Sequence, residues 1–118
     1  MIKKKSEDVV EKQAILTDGT EVKDVSVRWL IDNKSGAKNF AMRQFKIETG
    51  GMVPLHNHPE DHEIYVLAGK GKFSDGEGKE EKAEKGDVIY IPPNEKHSID
   101  NLGKDNFVFI CIVPYLKK

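Results

Sequence analysis

Four histidines, His56, His58, His62 and His97, are the residues of this chain best suited to chemistry, and three of them fall within seven positions. Side chains two apart in an extended strand share a face, so His56 and His58 point the same way. His62 keeps that parity if the turn at Pro59-Glu60-Asp61 preserves it. Imidazole is the commonest protein ligand for transition metals. The spacing therefore predicts a metal site; the plainer reading is a pH-sensitive surface cluster, which gives the fourth histidine no special context. The glycine-rich run Asp75-Gly76-Glu77-Gly78 reads as a hairpin turn. It is not a phosphate loop, because no helix follows it and no Lys-Ser or Lys-Thr completes one.

The elements that must position the histidines read as all-β. Segments 21–31, 39–48, 52–58, 62–73, 87–91, 97–101 and 107–113 are rich in Val, Ile, Phe and Tyr and read as strands. Turn-forming pairs lie between them, among them Asp18-Gly19, Ser35-Gly36, Gly50-Gly51, Asp75-Gly76 and Leu102-Gly103. Strands about ten residues apart suggest a sandwich or a barrel. The Lys/Glu-rich run 78–86 is read as an exposed edge strand, although its composition suits a helix. Residues 1–14 are too polar to assign and are read as an arm that packs on a second subunit. Ile64-Tyr65-Val66-Leu67 and Phe107 to Val113 are apolar on both faces. A strand of that kind is covered on both sides, so a homodimer is expected, with cover by the N-terminal strands as the alternative.

The chain has 118 residues, room for a single domain over 1–118 that needs neither disulfide nor metal merely to fold. Nineteen basic residues against twenty acidic ones give a net charge of −1, and Arg28 and Arg43 are the two arginines. A nucleic-acid binder would show a basic surplus and an arginine-rich face, so no nucleic-acid partner is expected. No apolar run is long enough to span a membrane. The basic start Met1 to Lys5 has no apolar stretch behind it, so no signal peptide is expected. With one cysteine, Cys111, the expected location is the cytoplasm.

The context of the histidines then resembles the cupin superfamily. The family's first motif runs Gly, five residues, His-x-His, three or four residues, Glu, six residues, Gly. Here Gly50 is followed after five residues by His56-Asn57-His58, after three more by His62, and after six more by Gly69. The second motif runs Gly, five residues, Pro-x-Gly, two residues, His, three residues, Asn. Here that is Gly86, Pro92-Pro93-Asn94, His97 and Asn101 with every spacing kept. The motifs occupy 50–71 and 86–101. Asn94 replaces the family's Gly, and Asn is among the non-Gly residues that best tolerate positive φ. His62 stands at the family's Glu position, with Glu63 next to it. The distance to Gly69 and strand parity both favour His62.

The resemblance implies a double-stranded β-helix, or jelly-roll barrel, and small monocupins with four-histidine centres are the nearest in style. The implied ligands are His56, His58, His62 and His97, with Glu63 in place of His62 as the alternative. Four neutral imidazoles on an octahedral ion leave two positions for water, O₂ or a chelating substrate. That suits Mn or Fe, while Ni, Co, Cu and Zn are also accepted by imidazole. A closed tetrahedral zinc site is the plainer reading. Phe109 and Cys111 share the inward face of the last strand and are pocket candidates; Cys111 is read either as a pocket thiol or as a buried small hydrophobe. Arg43 lies on an apolar face, where it would hold a carboxylate substrate or, in the preferred reading, make an interior salt bridge or sit at an edge. Trp29 is read as core or dimer interface, and Tyr65 and Tyr90 as packing residues. The leading functional expectation is a dioxygenase-like, metal-dependent oxidoreductase acting on a small chelating molecule. The alternatives are a binding or sensing module without turnover, and a non-redox isomerase or lyase.

Overall fold

Apolar residues recur at every second position along most of the chain, and those segments are the strands of the computed structural model, which describes residues 1–116. In chain order they are β1 (Glu11–Ile15), β2 (Glu21–Ile31), β3 (Phe40–Ile47), β4 (Met52–His56), β5 (His62–Ala68), β6 (Lys70–Ser74), β7 (Glu80–Glu84), β8 (Val88–Ile91), β9 (His97–Asn101) and β10 (Phe107–Pro114). They form two antiparallel sheets, one in the order β1-β2-β3-β10-β5-β8 and one in the order β4-β9-β6-β7. This is the expected jelly-roll, with the core between the two sheets. No helix among the described residues is long and apolar enough to cross a membrane.

The core is built where the two inner faces meet. Phe107, Phe109, Ile47 and Val66 are its largest fully buried side chains. Phe107 stands 5.3 Å from Phe109 and 6.0 Å from Phe73, ring centre to ring centre, in tilted and edge-to-face arrangements that aromatic quadrupoles favour. In β2 the inward positions slip from Val22 to Val25. Asp24 has a φ of 62° there, a left-handed conformation that short polar residues tolerate better than most.

Three readings of the sequence are corrected. The single strand expected over 62–73 is two strands in different sheets. The break falls at Gly69, whose φ is 81°. A Cβ there would run into the Asn106 carbonyl oxygen and come within 2.9 Å of the Phe107 Cα, so only glycine takes this corner. The strand expected over 52–58 ends at His56, which leaves His58 on the following loop. Residues 1–14 are not one arm. Ser6–Asp8 is a 3₁₀ turn, and β1 pairs with β2 of its own chain. Arg28 holds this segment through the Ser6, Glu7 and Val9 carbonyls and an ion pair with Glu11. The Lys/Glu-rich run does form an edge strand, β7, and a charged edge resists pairing with other chains.

Loops at the two motifs are tied by specific bonds. Asn94 has a φ of 66°, as its place in the turn requires, and its N–H donates to the His58 carbonyl at 2.9 Å. Asn101 donates to the Ile47 and Asp105 carbonyls at 2.8 and 2.9 Å and accepts from the Gly103 N–H at 2.8 Å. The motif asparagine therefore joins β9 to the ends of β3 and the loop before β10.

Candidate metal centre

The four histidines meet at the mouth between the sheets. His56 ends β4 and faces His97, the first residue of β9, across the antiparallel ladder. His62 begins β5 in the opposite sheet, and His58 bridges the gap on the loop between. The potential ligand nitrogens of His56, His58 and His97 all lie within 4.8 Å of one another. His62 adjoins this set through His58, with Nε2 to Nε2 at 2.7 Å.

Hydrogen bonding orients three of the rings in one way. The Nδ1 atoms of His56, His58 and His97 lie 2.8, 2.9 and 2.9 Å from the carbonyl oxygens of Pro54, Glu60 and Glu95. A carbonyl only accepts, so in each ring Nδ1 carries the proton and Nε2 keeps its lone pair. This is the outer-shell arrangement that metal-ligating histidines use. The donor set thus fits a divalent transition metal.

Burial favours the neutral form of His58, His62 and His97. His62 and His97 are 6% and 5% exposed. Loss of hydration pushes His97 down to about 4. Burial, reinforced by the Arg43 charge, pushes His62 down to about 2. His58 is lowered too, again by burial first. A lowered histidine pKa means that the unfolded chain takes up protons before the folded one. The stability contributed by the neutral rings is complete above the unfolded value near 6.5 and is lost as pH falls towards the folded values. Chelator-treated protein should therefore lose stability between about pH 6.5 and 4, by up to about 1.4 kcal/mol per pH unit for each such ring. Urea unfolding across that range measures the slope, and a flat profile would contradict neutral burial.

The rings line a partly open cleft of about 110 Å³. Its wall is apolar, with Val22, Phe45, Val53, Ile64, Ile91 and Ile99 among the residues that form it. Arg43, Phe109 and Cys111 also line it. Phe109 stacks on Phe45 at 5.5 Å. Cys111 is buried, and burial raises its thiol pKa against the opposing pull of Arg43. The interior salt bridge expected for Arg43 is not formed: among the described residues no carboxylate lies within 4 Å of its guanidinium. Instead the guanidinium lies over Trp29 and Phe45, 5.3 and 4.9 Å from the ring centres, and its Nε is buried without a partner. The aromatic faces supply the attraction that a carboxylate would.

Parity holds for Glu63, as expected, while Tyr65, Tyr90 and Trp29 are more exposed than core positions. Glu63 is exposed on the outer face of β5, opposite Tyr90, because adjacent strand residues point apart. Tyr65 and Tyr90 are not packed in the core; they are 49% and 56% exposed on that same outer face. Trp29 is 38% exposed, so it is a cover for Arg43 and not core. The sequence reading missed Ala14, Ile15, Leu16 and Thr17, which close one side of the cleft. The signal was the Asp18-Gly19 turn: the Leu16 N–H donates to the Thr20 carbonyl and the Gly19 N–H to the Leu16 carbonyl, which fold β1 back on β2.

The cupin-domain family profile matches residues 43–113, more than half of the chain. The chain belongs to the cupin family. This cupin is 36% identical to an oxalate-binding protein of Thermotoga maritima over 74 residues, which are 62% of this chain and 60% of that protein. It is 31% identical to the oxalate decarboxylase OxdC of Bacillus subtilis over 111 residues, 88% of this chain and 27% of the relative. The match thus spans under two thirds of either relative. Among solved structures, the polyketide cyclase RemF from Streptomyces resistomycificus superposes with a TM-score of 0.85 at 26% identity, covering 100% of this chain and 88% of that one.

Proposed function

We propose that this cupin binds one divalent transition metal, Mn or Fe, through His56, His58, His62 and His97, and acts as an oxidoreductase on a small chelating organic anion. The metal reading is carried by the convergent Nε2 lone pairs of His56, His58 and His97, each ring braced at Nδ1 by a carbonyl. The anion follows from charge. Neutral imidazoles leave a bound cation's charge undiminished, and Arg43 adds another with no carboxylate beside it. A bound metal supplies Lewis acidity and, for Mn or Fe, electron transfer. The chain's own residues hold the anionic end near the histidines and Arg43, and the apolar wall excludes water from the body of the ligand. Among the described residues no carboxylate lines the cleft. A non-redox isomerase or lyase would therefore have no carboxylate base in the cleft, which lowers that reading.

A second reading, binding without turnover, is favoured by the similarity to an oxalate-binding protein. One experiment separates the two. Protein loaded with Mn(II) or Fe(II) is titrated calorimetrically with oxalate, and oxygen uptake is followed with oxalate, a catechol and a diketone. Uptake that requires metal supports the oxidoreductase. Tight oxalate binding with no uptake for any substrate or metal leaves the binding module.

We further propose that the outer face of β5, β8 and β10 meets a second copy of the chain. Val88, Tyr90 and Tyr65 are 73%, 56% and 49% exposed there, beside Ile110 and Ile112. The N-terminal strand does not cover them, since β1 lies at the far edge of the sheet. Light scattering should give a dimer, and Ile110→Asp a monomer with the fold retained; a monomeric wild type would refute this arrangement.

A further inference from the structure

His62 differs from the other three histidines in what its Nδ1 faces. There is no carbonyl there. Nδ1 lies 3.2 Å from Arg43 Nη2 and 3.1 Å from Cys111 Sγ, and Arg43 Nη2 is itself 3.1 Å from that sulfur. The three atoms form a closed triangle behind the ring.

A guanidinium only donates. If Arg43 donates an N–H hydrogen bond to His62 Nδ1, the ring's own proton must sit on Nε2. His62 then becomes a donor to His58 Nε2 at 2.7 Å, with no lone pair to offer a metal. If His62 is to be a ligand, its Nδ1 must carry the proton and donate it. Among the described residues, Cys111 sulfur is the one acceptor within hydrogen-bond distance of Nδ1. Sulfur has two lone pairs, so it can take the His62 N–H and the Arg43 N–H together. The two arrangements keep the same heavy atoms and the same charges: imidazole neutral, thiol intact, guanidinium cationic. They differ in the tautomer of His62, whose ring proton sits on Nε2 in the first and on Nδ1 in the second.

We propose that Cys111 is the positioning residue that makes His62 a metal ligand. Its sulfur accepts the His62 Nδ1–H together with the Arg43 N–H. Arg43 is held for this role between Trp29 and Phe45. Without an acceptor at position 111, Arg43 donates to His62, and the site reduces to His56, His58 and His97. The inference rests on the proposed metal site and assigns its fourth ligand to a contact outside the cupin motifs.

Co(II) tests this, because its visible absorption reports the number and kind of its ligands. Wild type, His62→Ala, Cys111→Ala and Cys111→Ser are each loaded with Co(II). Cys111→Ala should still bind one ion per chain, with a spectrum like that of His62→Ala and unlike that of wild type. Its affinity should fall about 10- to 100-fold, as expected for loss of an outer-shell partner. Cys111→Ser, whose hydroxyl also accepts, should restore the wild-type spectrum. Cys111→Val fills the space without an acceptor and repeats the test if the alanine variant does not fold. A Cys111→Ala spectrum identical to wild type, with His62→Ala distinct, overturns the role of Cys111. Identical spectra for wild type and His62→Ala overturn it too, and leave the metal site standing on three histidines. No Co(II) binding by wild type refutes the metal site itself.

Discussion

Replacing His97 with alanine should weaken metal binding by more than the roughly 10- to 100-fold that loss of an outer-shell partner costs. His97 is the histidine with the least freedom to be replaced. It opens β9, pairs across the ladder with His56, and is 5% exposed. Its Nδ1 is fixed by the Glu95 carbonyl at 2.9 Å, so its Nε2 has one direction. No neighbouring side chain on β9 can take its place, since Ser98 points to the other face. Competition against a chromophoric chelator measures the loss. The same variant should also unfold with a shallower acid dependence than wild type, because one ring whose pKa burial lowers to about 4 is gone. Near-normal affinity would mean that the cluster is not a metal site. A normal acid slope with lost affinity would mean that His97 is not held neutral by burial.

Phe107→Ala should cost about 3–5 kcal/mol of folding stability, the range for emptying a buried aromatic site. Phe107 has no exposed surface and stands against both Phe73 and Phe109. It also occupies the space that a side chain on Gly71 would need: a Cβ there would run into the ring and lie 2.5 Å from its Cζ. The two positions should therefore be coupled. Gly71→Ala alone should overpack the core, a change that costs about 1–3 kcal/mol. In the Phe107→Ala background it should cost much less, since the added methyl enters the cavity. Urea unfolding of the four proteins gives the coupling, and additive effects would show that the ring moves aside freely.

The sequence carries most of the fold because alternation survives in nearly every strand, and the two motifs place the turns. β7 is legible despite a helix-like composition, since it is short and lies between two strands. What was not legible depended on backbone geometry. Nothing in Leu67-Ala68-Gly69-Lys70 says that the strand changes sheets there; that follows from the approach of Asn106 and Phe107, which are distant in sequence. β1 was hidden by its polarity: Glu11, Lys12 and Gln13 are exposed on an edge strand, and Ala14 alone is buried. Of the site, the shared face of His56 and His58 and the opposed face of Glu63 follow from parity. The partner of Arg43 does not, because two aromatic faces, a ring nitrogen and a sulfur replace the carboxylate that an arginine in a core is expected to find.

The most direct test is metal content by plasma mass spectrometry of untagged protein, with wild type beside Glu63→Ala and His58→Ala. The expected result is near-stoichiometric Mn or Fe in wild type, kept in Glu63→Ala and lost in His58→Ala. Loss in Glu63→Ala would contradict the histidine assignment, and a wild type that takes up no metal on reconstitution would contradict the metal centre altogether.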